Sequence, residues 1–256
     1  MNVISRYAFL MVGLCAACGA ESGENVGEVA QAAASDLDVD FSGCSELAGI
    51  GLVPAANARA LVPSSYALAG DSTNAVMVVR NVKCSGISVD GKPAKSGIVT
   101  QIGITLQGPD TTASINNYTL WYVTDLGVLH AKLSGAGAPA ENSNKLSFTL
   151  TPSGSGGQLD FVADPKAPHH EMHGPVVTPT AAPTQFIASW WAGSGASRVR
   201  MRTTLPSIQF GEAHMTLTTT AGSALAQLIG GTSMTFAVLD SYNTFPAAHM
   251  EVRAAP

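Results

Sequence analysis

The sequence predicts a mainly β fold: one closed or nearly closed antiparallel β-barrel or cone with a few short helices. Three observations lead there. Apolar, β-branched runs of five to eleven residues recur along the chain, separated by turn residues. Glycine (26) and proline (14) are plentiful, which favours turns over long helices. Only 12% of residues are charged against 46% hydrophobic, so the chain has a large core to bury and little surface ion pairing to spend.

The elements follow in order. Residues 41–53 open the domain, and Pro54 starts a short helix, AANARALV, which Pro63 ends. Residues 74–84, NAVMVVRNVKC, form a strand that continues to Val89, and Asp90-Gly91 supplies a hairpin turn. Residues 98–106, IVTQIGITL, read as a half-buried strand closed by Gly108-Pro109-Asp110. In the next strand Tyr118, Leu120 and Tyr122 share one face, and Thr119, Trp121 and Val123 the other. Thr124 or Asp125 then caps a helix whose Leu126, Leu129 and Leu133 make one apolar stripe. Strands are predicted at 145–150, 158–162, 184–191, 198–204, 213–220 and 234–239. Five prolines make 164–183 irregular, and Asp240-Ser241-Tyr242-Asn243 reads as a polar turn. Ser223 caps a last short helix, ALAQLI, closed by Gly230-Gly231.

The N-terminus reads as a targeting segment. Arg6 precedes an apolar run over 7–17 that ends at Cys18, too short for a free transmembrane helix. Residues 14–19, LCAACG, resemble a bacterial lipoprotein signal, with Cys15 where leucine is usual. On that reading residues 1–17 are the signal peptide and Cys18 carries the lipid, anchoring the chain to a membrane. By the same resemblance, Gly19 after the cysteine implies the outer membrane, facing the periplasm or the exterior. The alternative is a plain leader cut near Ala20 and a secreted protein. Residues 18–40 form an acidic tether: 21–40 hold six acids and no base. The domain, 41–256, then has twelve acids and twelve bases, without the basic footprint of a nucleic-acid binder. Outside the cytoplasm, Cys44 and Cys84 are expected to form a disulfide, with two buried free thiols as the alternative.

Several features together resemble the acetoacetate decarboxylase superfamily. They are the helix running into Leu61-Val62-Pro63, the strand AVMVVRNV, residues 98–106, the aromatic strand with Trp121 and Tyr122, and the helix leading to Gly137-Ala138-Pro139. The resemblance implies a cone-shaped barrel with an apolar cavity and, in true decarboxylases, a Schiff-base lysine backed by a second lysine. The matching residues after Pro139 are Ala140 and Glu141, and the family's glutamate falls near Gln101. These departures remove chemistry that decarboxylation needs, leaving Lys132 and Lys145 as substitutes to consider.

Other constellations carry weaker signals. His169, His170 and His173 have spacings that can converge on zinc or copper, or they belong to an exposed loop. Arg198, Arg200 and Arg202 share one strand face and suit a carboxylate or phosphate, or are a solvated wall. Trp190-Trp191 splits, one ring into the core and one toward the cavity or surface, and the pairs Glu212/His214 and His249/Glu251 are solvated or tune a base. The expected function is a membrane-tethered barrel without cofactor, binding a small, partly apolar or carboxylate-bearing ligand. Gln101, Tyr118, Trp121, Tyr122, Ala140 and the three arginines would line its pocket. The alternative is a decarboxylase-type enzyme acting on a β-keto or related acid.

Overall fold

The computed structural model describes residues 36–164 and 168–255. The expectations for the leader, for Cys18 and for most of the tether fall outside them. Strand β1 (Leu37–Pro54) begins four residues before the expected domain boundary. Leu37, Val39 and Phe41 are buried while Asp40 is exposed, so the last acids of the supposed tether occupy the outward positions of a strand. Pro54 then fixes the entry to α1 (Ala55–Leu61) with φ −55°.

Strands β2 (Asn74–Val89) and β3 (Lys95–Thr105) form a hairpin. Asp90 (φ 50°) and Gly91 (φ 68°) both take the left-handed conformation that its tight turn requires. β3 was expected half-buried; instead, from Gly97 to Ile104 both faces are covered, one by the barrel interior and one by a second sheet. A disulfide joins Cys44 and Cys84, which stand directly opposite each other on β1 and β2.

β4 (Ile115–Thr124) carries a bulge where Ile102 and Gly103 of β3 pair with Trp121 and Thr119. The extra residue, Leu120, shifts the alternation by one. Tyr118, Leu120 and Trp121 therefore pack outward together, and Tyr122 turns into the barrel, which overturns the expected grouping of faces. Gly103 permits this closeness, because a Cβ there would lie 2.2 Å from the Tyr118 carbonyl oxygen and 2.8 Å from the Trp190 ring. Helix α2 (Gly127–Gly135) buries Leu129 and Leu133 as expected. Asp125 does not cap it: its carboxylate accepts the Ile98 N–H of β3 at 2.8 Å, and Thr124 accepts the Leu126 N–H.

The remaining elements are β5 (Ala140–Asn142), β6 (Leu146–Ser153), β7 (Gly156–Ala163), β8 (His170–Val177), β9 (Thr184–Ala192), β10 (Val199–Phe210), β11 (Thr216–Thr219), α3 (Ala224–Ile229), β12 (Ser233–Thr235) and β13 (Leu239–Ala254). β5 was not anticipated, the strand expected at 234–239 ends at Thr235, and two further strands differ more deeply. β8 is a regular strand inside the proline-rich stretch; Pro175 lies beyond His173, where the ladder with β11 ends, so no β11 bond is lost to it. β13 runs straight through the supposed polar turn at 240–243, because Ser241 and Asn243 point into a polar part of the barrel interior.

One sheet runs β3-β2-β1-β13-β10-β9-β4-β5, and pairing of β3 with β4 closes seven of these strands into a barrel. The closure is not wholly antiparallel as expected, since β4 runs parallel to both β9 and β5. Leu37, Val39, Val252 and Met250 meet Leu129 and Leu133 of α2 and fill the barrel end where β1 begins. The second sheet, β12-β11-β8-β7-β6, covers the outside of β1, β2 and β3 through a separate apolar layer.

His170 sits fully inside that layer. Its Nε2 lies 3.1 Å from the Thr100 hydroxyl, which donates to Asn81 at 2.6 Å, and its ring packs 5.5 Å from Phe161. Burial lowers its pKa to about 4, from 6.5 in an exposed histidine. The folded state thus binds the proton less readily than the unfolded state. Its full contribution to stability is present above pH 6.5 and is lost as pH falls from there towards 4. Chemical denaturation should show a loss of about 3 kcal/mol over that window, and His170→Gln should flatten that slope.

Candidate functional site

Cross-strand partners in a sheet point to the same face, so the register defines what enters the barrel. Ala140, Tyr122, Gln101, Arg80, Ala48 and Ser241 are successive partners across β5, β4, β3, β2, β1 and β13. Glu46 and its partner Asn243 lie two residues away on the same face. The Arg80 guanidinium reaches diagonally to Glu46: Nε and an Nη donate to Oε2 at 2.9 and 2.7 Å. Asn243 donates its amide to the other carboxylate oxygen at 3.2 Å. The two charged side chains are only 15% and 9% exposed, so each carries the desolvation cost of the other's absence.

Above this pair the barrel encloses a cavity of about 280 Å³. Ile50, Val78, Leu205, Ile208 and the edge-to-face rings of Phe186 and Phe210 make most of its wall, with Trp190 reaching in from β9. Four lining residues keep a buried polar atom without a partner: the Asn117 amide nitrogen, the Trp190 indole nitrogen, the Ser241 hydroxyl and the Asn243 carbonyl oxygen. Unpartnered buried polar atoms are uncommon in proteins and point to water or a ligand. Beside them, Gln101 donates to Thr119 at 3.3 Å, and the Tyr122 hydroxyl is buried with no partner. Desolvation holds the Tyr122 pKa above the usual phenol range, although the Arg80 charge opposes it.

Of the residues singled out in the sequence, Gln101, Tyr122 and Ala140 meet on one row of the interior, although none of the three is among the residues that line the cavity. Tyr118 and Trp121 do not join them, because the Leu120 bulge turns both to the outer face. There they line a shallower groove of about 300 Å³ with Leu61 and Pro139. Arg198, Arg200 and Arg202 also lie outside the barrel cavity. The Arg200 and Arg202 guanidinium groups come within 3.7 and 3.4 Å of the buried Asp110 carboxylate. Asp110 also accepts from Ser189 at 2.7 Å and from the Thr112 hydroxyl at 2.6 Å. Arg198 lies over the Tyr66 ring and Arg200 over Trp191. Arg200 and Arg202 thus fasten the β3–β4 loop to β10, while Arg198 packs on the segment between α1 and β2.

The histidines do not converge either. On β8, His170 points inward and His173 outward, while His169 contacts Asp164 and Glu171 at the surface. Asp38, His249 and Glu251 bring three ligand-type atoms together, but Arg253 already occupies the space between the carboxylates, 2.7 Å from Asp38. Lys132 and Lys145 stand apart from the cavity, paired with Asp90 and Asp164 at 2.7 and 3.0 Å. The residues that the sequence reading missed are Glu46, Arg80 and Asn243. A charge set among apolar neighbours in each strand, Glu46 in β1 and Arg80 in β2, was the available signal, but only the register brings the two together.

With that geometry in view, comparison with solved structures is informative. Acetoacetate decarboxylase superposes with a TM-score of 0.56 over 85% of this chain and 88% of its own, at 8% identity. The fold is that of acetoacetate decarboxylase. An acetoacetate decarboxylase-like enzyme from Sphingomonas wittichii RW1 matches with a TM-score of 0.55 at 12% identity, covering 92% of this chain and 98% of that one. The enduracididine biosynthesis enzyme MppR, complexed with pyruvate, matches with a TM-score of 0.53 at 12% identity, covering 89% and 91%. No protein-family model and no curated protein matches the chain.

The arginine assignment has a direct consequence. Asp110→Ala should cost about 1–3 kcal/mol in urea denaturation, chiefly by leaving the buried Ser189 hydroxyl without its acceptor. Arg200→Ala should cost about 1 kcal/mol or less, its side chain being one-third exposed.

Proposed function

We propose that this chain is an exported, lipid-anchored protein of the acetoacetate decarboxylase superfamily whose barrel binds a small, partly apolar ligand without Schiff-base chemistry. The observation that carries the reading is the row containing Ala140, Tyr122 and Gln101. It faces the interior, yet among the described residues none that lines the cavity is a lysine. A Schiff-base lysine must be desolvated to present a neutral amine, and the described lysines are at the surface or paired with exposed acids. The cavity's size and apolar wall suit a small molecule. The Cys44–Cys84 disulfide is consistent with export to an oxidising compartment. The lipoprotein-like signal supports anchoring through Cys18 at the outer membrane.

A decarboxylase-type enzyme is the second reading, favoured by the fact that the structural neighbours are enzymes, one of them holding pyruvate. Borohydride reduction in the presence of acetoacetate or pyruvate separates the two. Intact-mass analysis should show no adduct; a stable adduct on Lys132 or Lys145 would favour the enzyme. Anchoring is tested by Cys18→Ser, which should move the protein from the membrane fraction to the soluble exported fraction. Unchanged membrane association would count against the lipid anchor.

A further inference from the structure

We infer that the barrel ligand is electrically neutral and carries a carboxamide-like head, with both a hydrogen-bond acceptor and a donor, on an apolar or aromatic tail. The inference rests on the barrel-binding reading and specifies its ligand class. Glu46 and Arg80 are the charged residues that line the cavity, and they are spent on each other. The Nε and one Nη of Arg80 donate to Glu46, whose second oxygen takes the Asn243 amide. A ligand carboxylate would lose its hydration, find a guanidinium already neutralised, and approach a second carboxylate. A ligand ammonium would meet the same cancelled charge. A neutral molecule avoids both costs.

The unpartnered atoms define the head group. Asn117 uses its carbonyl oxygen to accept from the Thr105 hydroxyl at 3.0 Å, which leaves its NH₂ as a free donor. Asn243 uses its NH₂ on Glu46, which leaves its carbonyl oxygen as a free acceptor. Trp190 adds an indole N–H donor, and Ser241 a hydroxyl of either sense. A carbonyl oxygen with an adjacent N–H answers both kinds of site, whereas a carboxylate answers only the donors. Phe186, Phe210, Ile208 and Leu205 then offer the tail an apolar wall.

The test compares two molecules of the same shape, 3-phenylpropanamide and 3-phenylpropanoate, by calorimetry on the full chain at pH 7. The amide should bind at least tenfold more tightly than the carboxylate. Glu46→Gln should narrow or invert that ratio by freeing the Arg80 charge, with a thermal melt confirming that the variant folds. The wild-type ratio decides the matter even if the variant does not fold. Equal or tighter binding of the carboxylate by the wild type overturns the neutral-ligand inference and leaves the barrel-binding reading standing. Binding of neither molecule overturns the barrel-binding reading, and the inference with it.

Discussion

The Glu46 carboxylate and the Arg80 guanidinium face each other inside a closed barrel, and the character of the interior depends on that pairing. A charge so far from solvent is tolerable only when compensated, and the compensation here comes from adjacent strands. Asn243, on the other neighbouring strand, ties β13 into the same arrangement. Three of the seven barrel strands therefore meet at one polar floor. Below it the barrel is packed with aliphatic side chains and α2; above it lies open volume. The pair marks the boundary between the part of the interior that holds the fold and the part available to a ligand.

On the proposed reading, a decarboxylase-like fold persists here with different chemistry. By the family resemblance, Ala140 and Gln101 stand where a nucleophilic lysine and a carboxylate would be expected, and the register sets both on one row with Tyr122. Neither side chain supplies a proton or forms a covalent bond. Both are accommodated in the interior, Gln101 through its hydrogen bond to Thr119 and Ala140 by packing against the core. The fold requires only that these positions be filled and satisfied.

Local signals in the sequence were legible where one residue does one local job. Pro54 at the start of α1, Asp90-Gly91 at the β2–β3 turn, and Ser223 and Gly230 around α3 all act where expected. What was not legible depends on distant partners. Ser241 and Asn243 look like turn residues until β1 places Glu46 beside them. The faces of β4 cannot be read by alternation because the bulge at Leu120 is fixed by pairing with β3. The arginine row of β10 looks like a ligand clamp until Asp110, ninety residues earlier, is brought beneath it. In each case the deciding force is the need of a buried polar group for a partner, and chain order does not reveal that partner.

The upper barrel interior is open space bounded by the Glu46–Arg80 pair. Xenon binds apolar cavities regardless of a natural ligand's identity. A crystal of the protein pressurised with xenon therefore tests the claim most directly. An ordered xenon atom should appear inside the barrel beside Ile50, Trp190 and Phe210. An interior closed by side chains, with no xenon among these residues, would contradict it.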